Sequence, residues 1–250
     1  MSDAPVTFVL GAGGGIGSAL VRRLVDAGGQ VVAAGRTAGP LDALVAAHGS
    51  AVRPLVVDAT DADAVHAAVG AVADTEGRLD AAACTVGSIL LKPAHRTSVE
   101  EYRDVLARNL DAAFFLLRAA TAALQRSGGS IALVSSAAGH YGLHNHEAIA
   151  AAKGGIEGLT RSAAATYAAR GIRVNAVAPG LVETPLTARL TGDETSRRVS
   201  EGMHPLGRIG APDDVASALA WLLDPAQSWV TGQVLGVDGG LGSAQPKRAG

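Results

Sequence analysis

The stretch Val6-Thr7-Phe8-Val9-Leu10-Gly11-Ala12-Gly13-Gly14-Gly15-Ile16-Gly17-Ser18-Ala19-Leu20 constrains the chain most. A short apolar run of β type meets a glycine-dense turn and continues into an amphipathic helix. Glycines at 11, 15 and 17 let bare backbone approach a pyrophosphate, and the N–H groups opening the next helix turn its positive dipole end toward the anion. Gly11, Gly15, Ile16 and Gly17 are therefore candidate contacts of a dinucleotide. A turn of this composition can also be purely structural, so the rest of the chain has to decide.

A second apolar run at 30–34, separated from the first by a helix carrying Leu20, Leu24 and Val25 on one face, completes a βαβ unit. In such folds the end of the second strand sits beside the adenosine ribose, where an acid would bind both hydroxyls. This chain has Arg36 there, either a solvated surface arginine or a permanently charged fork for a 2'-phosphate. The reading favoured is NADP(H), with NAD(H) the alternative. A third run, 54–57, ends at Asp58, which either meets the adenine edge or terminates the strand. Val65, Ala68, Val69 and Val72 stripe the helix that follows.

Residues 80–87 read as a fourth strand whose loop, at Gly87, borders the cofactor. Ser98 and Glu101 have capping-box spacing and open a helix expected to run to about Gln125. Asn109 lies mid-pattern, where it is either exposed or holds something. Strand five, 130–134, delivers Ser135 and Ser136 to the ligand-binding edge. A long alanine-rich helix, 147–170, contains Lys153, and strand six, 173–178, stops at Pro179-Gly180. The polar segment from Pro185 to about Pro205 reads as a mobile flap over the substrate. A last helix, 212 to about 223, and strand seven, 233–237, close the alternation.

At 250 residues and 48% hydrophobic composition the chain can bury one large core, and no linker divides it, so one domain over 1–250 is expected. The net charge of −2, without a basic cluster beyond Lys247-Arg248, leaves no electrostatic footprint for nucleic acid or a membrane surface. The single cysteine, Cys84, rules out an internal disulfide and reads as a buried, inert thiol in a reducing cytoplasm. Without a leader-like N-terminus, or an apolar run near the roughly 20 residues that span a bilayer, a soluble cytoplasmic protein is expected. No metal ligand is assigned.

These positions together resemble the short-chain dehydrogenase/reductases over nearly the whole chain. Gly11, Gly15 and Gly17 match that family's TGxxxGxG turn, Asp58 its adenine-side Asp, Asn109 its helix-four Asn and Ser136 its active-site Ser. Lys153 matches the YxxxK lysine, Asn175 and Pro179-Gly180 the strand-six signature, Thr184 the residue that meets the nicotinamide amide, and Asp238-Gly239-Gly240 the terminal turn. The resemblance implies an α/β, Rossmann-type doubly wound domain with a seven-stranded parallel sheet, a nicotinamide cofactor and a homotetramer, or a homodimer, packed through helices four and five. The alanine pairs and triplets at 112–113 and 163–165 would permit that close approach.

Three departures stand out. Leu10 replaces the usual Thr of the glycine motif, and Cys84-Thr85-Val86-Gly87 replaces NNAG. The position four before Lys153 is Ile149, thirteen residues after Ser136 as in the family, so the tyrosine that would carry the proton is replaced by a side chain that cannot. Upstream, His146 shares a helix face with positions 149 and 153 and is one candidate substitute; Tyr141 is a second. Asn145 reads as the helix N-cap and Glu147 as a first-turn dipole partner. Alternatively this loop only caps the helix and packs at a subunit interface. Two function classes follow: an NADP(H)-dependent reductase of a small carbonyl, alcohol, C=N or C=C substrate with an unusual proton source, or a dinucleotide-binding sensor or assembly protein without turnover.

Overall fold

β1 (Val6–Leu10) is buried along its whole length and lies between β2 (Gln30–Gly35) and β4 (Ala81–Cys84) in a seven-stranded sheet. The computed structural model describes residues 4–244. β3 (Val52–Val56), β5 (Gly129–Val134), β6 (Ile172–Pro179) and β7 (Val234–Val237) complete the order β3-β2-β1-β4-β5-β6-β7. Every neighbouring pair is parallel, with registers such as Leu10 opposite Ala34 on one side and Cys84 on the other. This is the doubly wound α/β sheet expected from the sequence.

The central strands read as unbroken apolar runs because both of their faces are covered. Phe8, Leu10, Val32, Ala82, Ile131, Leu133 and Val174 face one core, which α3 (Ala62–Glu76), α5 (Ala112–Leu124) and α6 (Glu147–Tyr167) cover. Val9, Ala33, Ala83, Ala132 and Val177 face the other, under α1 (Gly15–Asp26), α2 (Ala38–His48) and α9 (Pro212–Leu223). α2 was not foreseen: Gly39 and Pro40 stand at its start, and its apolar residues do not form one clean stripe. The order in which strands are added to the sheet reverses between β1 and β4, and the carboxyl ends of those strands open the crevice where such sheets bind ligands.

The helix expected over 98–125 starts with the predicted box, Ser98 and Glu101 exchanging backbone-to-side-chain bonds of 2.8 and 3.2 Å. It does not run through as one α-helix. α4 (Val99–Leu106) passes into a wide π turn, Ala107–Asp111, before α5 resumes. A side-chain amide at 109 explains the break, because Asn109 Nδ2 donates to Val105 O at 2.9 Å and competes with the helical ladder. Asn145 is not the N-cap of α6: that position is His146, while Asn145 has φ of 61°, a left-handed conformation that asparagine tolerates. The 185–205 segment holds a single turn at Pro185–Thr187, then α7 (Ala188–Thr191) and α8 (Glu194–Met203). Of the alanines expected at a subunit contact, Ala112, Ala113, Ala163 and Ala164 pack into the chain's own core. Lys247 and Arg248 lie outside the described residues.

Candidate active site

The crevice at the switch point is a cleft of about 440 Å³. Gly11, Gly15, Ile16, Arg36, Asp58, Gly87, Asn109, Ser136, Lys153, Pro179, Gly180 and Thr184, all singled out in the sequence, line it together. Gly17 does not line it but makes the turn possible. A Cβ on Gly17 would stand 2.2 Å from Gly11 O and 2.8 Å from Thr85 Oγ1, so backbone must pass where a side chain would be. Gly11 itself has φ of 91°, its N–H donating to Ala34 O at 2.8 Å. These turns leave a backbone-walled cradle at the N-terminus of α1, which fits a pyrophosphate.

At one end of the cleft, Arg36 and Asp58 are both exposed. Asp58 Oδ1 accepts from Thr60 N at 2.9 Å and from Thr60 Oγ1 at 2.8 Å. Those bonds, followed by the charges of Arg36 and Arg108, hold its carboxyl below the usual range. Asp58 thus lies two residues past the end of β3 and lines the cleft. Arg108 also lines this cleft and was missed, since nothing in the spacing marks the residue before Asn109 as turned toward it.

At the other end the groups are buried. Asn109 has no exposed surface; its Nδ2 also donates to Ser88 Oγ at 3.0 Å and its Oδ1 accepts from Ser88 N at 3.3 Å, tying the loop after β4 to the π turn. Lys153 Nζ donates to Val134 O at 2.8 Å, two residues before Ser136. Burial pushes its pKa down to about 8, while burial pushes the neighbouring Cys84 thiol up to about 11. Ser136 Oγ accepts from Ala138 N at 3.2 Å and reaches Pro179 O at 3.5 Å. Behind it, Ser135 Oγ lies 3.0 Å from Lys153 O and 3.1 Å from Glu157 Oε1, which also meets His140 Nδ1 at 2.8 Å.

Ile149 lies one helical turn before Lys153, is buried, and lines the same cleft. His146 and Tyr141 do not line it. His146 Nδ1 lies 2.7 Å from His144 O, and Tyr141 is exposed on the preceding loop. Ser88, Ile89, Val182, Leu186 and Thr187 also line the cleft and were not singled out beforehand.

The family model described as Enoyl-(Acyl carrier protein) reductase matches residues 11–242, which takes in the glycine turn, the buried lysine and the terminal Asp238-Gly239-Gly240. The chain is a short-chain dehydrogenase/reductase. It is 40% identical over 239 residues to cis-4-hydroxycyclohexanecarboxylate dehydrogenase of Sinomonas cyclohexanicum, covering 94% of this chain and 95% of that protein. It is 36% identical over 243 residues to the 3-oxoacyl-acyl-carrier-protein reductase of Thermotoga maritima, covering 96% and 98%. The solved structure of ElxO with NADP bound matches with a TM-score of 0.91 at 26% identity, covering 96% of this chain and all of that one. Membership in the short-chain dehydrogenase/reductases makes this an NAD(P)-dependent oxidoreductase of alcohol or carbonyl substrates. Among the described residues no helix is long and apolar enough to cross a membrane.

Proposed function

We propose that this short-chain dehydrogenase/reductase uses NADP(H) in preference to NAD(H), and interconverts a small carbonyl and alcohol, or a related C=N or C=C pair, without a proton donor at position 149. The observation that carries the reading is the joint lining of one cleft by Arg36 at one end and by Asn109, Ser136 and Lys153 at the other. Arg36 would offer two parallel donors to a 2'-phosphate, and the end of β2 carries no carboxylate of its own to take the ribose hydroxyls. Gly11, Gly15, Gly17 and Ile16 would hold the pyrophosphate, while Lys153, Pro179-Gly180 and Thr184 would hold the nicotinamide half. When bound, the dinucleotide supplies or accepts the hydride. Ser136 Oγ would polarise a substrate oxygen at the cleft floor.

Ile149 excludes water from the floor and carries no proton. His146 or Tyr141 would deliver one only if the 140–146 segment folds over the cleft mouth. The helical 185–205 segment, whose Leu186 reaches the cleft, is the flap that would cover a substrate. Association into a homotetramer or homodimer would use the outer faces of α5 and α6, where Phe114 is 48% exposed. A second reading, dinucleotide binding without turnover in a sensor or assembly protein, is favoured by Ile149 alone.

Calorimetric titration with NADPH and NADH, followed by turnover assays on small ketones and alcohols, tests the proposal. Tighter NADPH binding with turnover supports it. Equal affinities remove the Arg36 argument, and tight binding with no turnover moves the weight to the second reading.

A further inference from the structure

Four titratable side chains line the cleft: Arg36, Asp58, Arg108 and Lys153. The first three share the adenosine end, since the Asp58 carboxyl feels the charges of both arginines. Arginine does not give up its proton in proteins. Among the described residues, Lys153 is therefore the one titrating group that lines the cleft at the end where Ser136 and Ile149 stand. Resting on the reductase reading above, we propose that the Lys153 ammonium is itself the proton donor in carbonyl reduction, and the neutral amine the acceptor in alcohol oxidation.

The geometry fixes the nitrogen without consuming it. Of three N–H protons, one goes to Val134 O at 2.8 Å, which anchors Nζ to the strand that delivers Ser136. The nitrogen lies under the Gly87 loop: a Cβ on Gly87 would stand 3.7 Å from Nζ and 3.1 Å from Asn109 Oδ1. Among the described residues no carboxylate is hydrogen-bonded to the two remaining protons. Glu157, one turn further along α6, is already engaged by Ser135 and His140, with Arg161 at 4.0 Å beyond. From β4 the facing group is Cys84, whose thiol burial keeps neutral. A lysine at its ordinary value is too weak an acid for this task, but burial lowers this one to about 8, close to a working pH. The ammonium is thus charged at neutral pH and needs little driving force to become an amine.

The step balances. With a reduced nicotinamide held by Pro179-Gly180 and Thr184, the hydride it would supply makes the new C–H bond as the carbonyl π pair moves to oxygen. That oxygen takes a proton as a Lys153 N–H bond breaks, its electron pair staying on nitrogen. Once the product leaves and the cleft stands open to solvent, water entering it reprotonates the amine. Ile149 keeps the floor apolar, and Ser136 donates to the same oxygen without having to surrender its proton.

The chain has three lysines, Lys92, Lys153 and Lys247, so a lysine-labelled sample gives few side-chain NMR signals, and Lys153→Arg assigns the one of interest. Kinetics would use 4-oxocyclohexanecarboxylate with NADPH, and cis-4-hydroxycyclohexanecarboxylate with NADP+, as named probes beside a panel of small ketones. The expected result is a lysine signal titrating near pH 8, with reduction falling about tenfold per pH unit above that midpoint and oxidation rising toward it. Lys153→Arg, which keeps the charge but cannot release a proton, should retain NADPH affinity within a few-fold and lose roughly 10²–10⁴ in turnover. The proposal is overturned if Lys153 titrates with the other lysines, if Lys153→Arg keeps turnover, or if His146→Ala removes turnover while the pH midpoint stays apart from the lysine signal. Failure of the wild type to bind NADPH, or binding with no turnover of any probe, defeats the reductase reading and this inference with it. A catalytically competent Lys153→Arg defeats the inference alone.

Discussion

Where we propose that adenosine binds, the cleft is walled by bare backbone and by exposed charge, Gly13, Gly14, Arg36 and Asp58, whereas at the proposed reacting end it is walled by buried side chains, Asn109, Ile149 and Lys153. The first end needs close approach and a fixed anion site, both of which follow from residue type and turn geometry. The second needs a proton at a particular place, and that depends on which side chains are desolvated together. On the proposed reading, the short-chain dehydrogenase/reductase scaffold keeps its binding end while Ile149 changes the chemistry at the other.

The largest effect is expected where the backbone cradle is filled. Gly17→Val puts a branched side chain where even a Cβ would lie 2.2 Å from Gly11 O, a backbone atom that cannot swing aside. Overpacking of this kind costs about 1–3 kcal/mol of stability, and NADPH affinity should fall roughly 10²-fold or more. Calorimetry and thermal melts read the two effects. Retained affinity would mean that the turn is structural and the comparison of the two ends is misdrawn.

Next in size is Ile149→Tyr, which gives the reacting end a phenol one turn before Lys153. Turnover of small ketones should rise, by up to roughly 10²-fold, and reduction should persist above pH 8, where the lysine of the wild type loses its proton. NADPH affinity should stay within a few-fold. Unchanged turnover and an unchanged pH profile would show that position 149 does not face the reacting atoms.

The sheet was legible because period-two alternation was absent: unbroken apolar runs such as Phe8-Val9-Leu10 and Ile131-Ala132-Leu133 need two covered faces and therefore helices on both sides. The glycine turn was legible from residue type and its place between a strand and a helix, whereas Ser136 and Lys153 were marked out through the resemblance to the family's motifs. The π turn was not, because helix periodicity survives a single wide turn and only the Asn109 bond to Val105 O reveals the break. Nor was Arg108, whose approach to the cleft follows from that turn. His146 shares a helix face with Ile149 in the sequence, yet it stands at the N-cap, where the backbone has already left the helical path, and its ring turns to His144 O. Helical-wheel reasoning fails at a helix end for that reason.

A smaller effect is expected at Arg36, since one charged contact in an exposed position is easily replaced by water. Arg36→Ala should weaken NADPH binding by about 1.5–3 kcal/mol, one to two decades, and leave NADH nearly unchanged. Equal losses for both nucleotides would mean that Arg36 holds the shared adenosine and not the 2'-phosphate.

The smallest effect separates the two ends without any ligand. Cys84 and Lys153 are both buried at the reacting end and shift in opposite directions, the thiol from 9.0 up to about 11 and the ammonium from 10.5 down to about 8. For Lys153 the unfolded chain binds more protons than the folded one between about pH 8 and 10.5, so stability rises with pH across that window. For Cys84 the unfolded chain loses its proton first, so the stability its buried neutral thiol provides is full below about 9 and is lost as pH climbs toward 11. From 8 to 9 the lysine acts alone and the protein should grow more stable; from 9 to 10.5 the two oppose each other. Urea titrations from pH 8 to 11 on the wild type and Cys84→Ala, each referred to its own stability at pH 8, should run parallel up to about pH 9 and then diverge, with the alanine variant continuing to gain stability to about pH 10.5 while the wild type levels off. Arg36→Ala at the exposed end should leave the shape of that curve unchanged. Divergence already below pH 9 would show that Cys84 ionises in the folded protein, and Lys153 would then stand beside a thiolate, which would raise its pKa and weaken it as an acid.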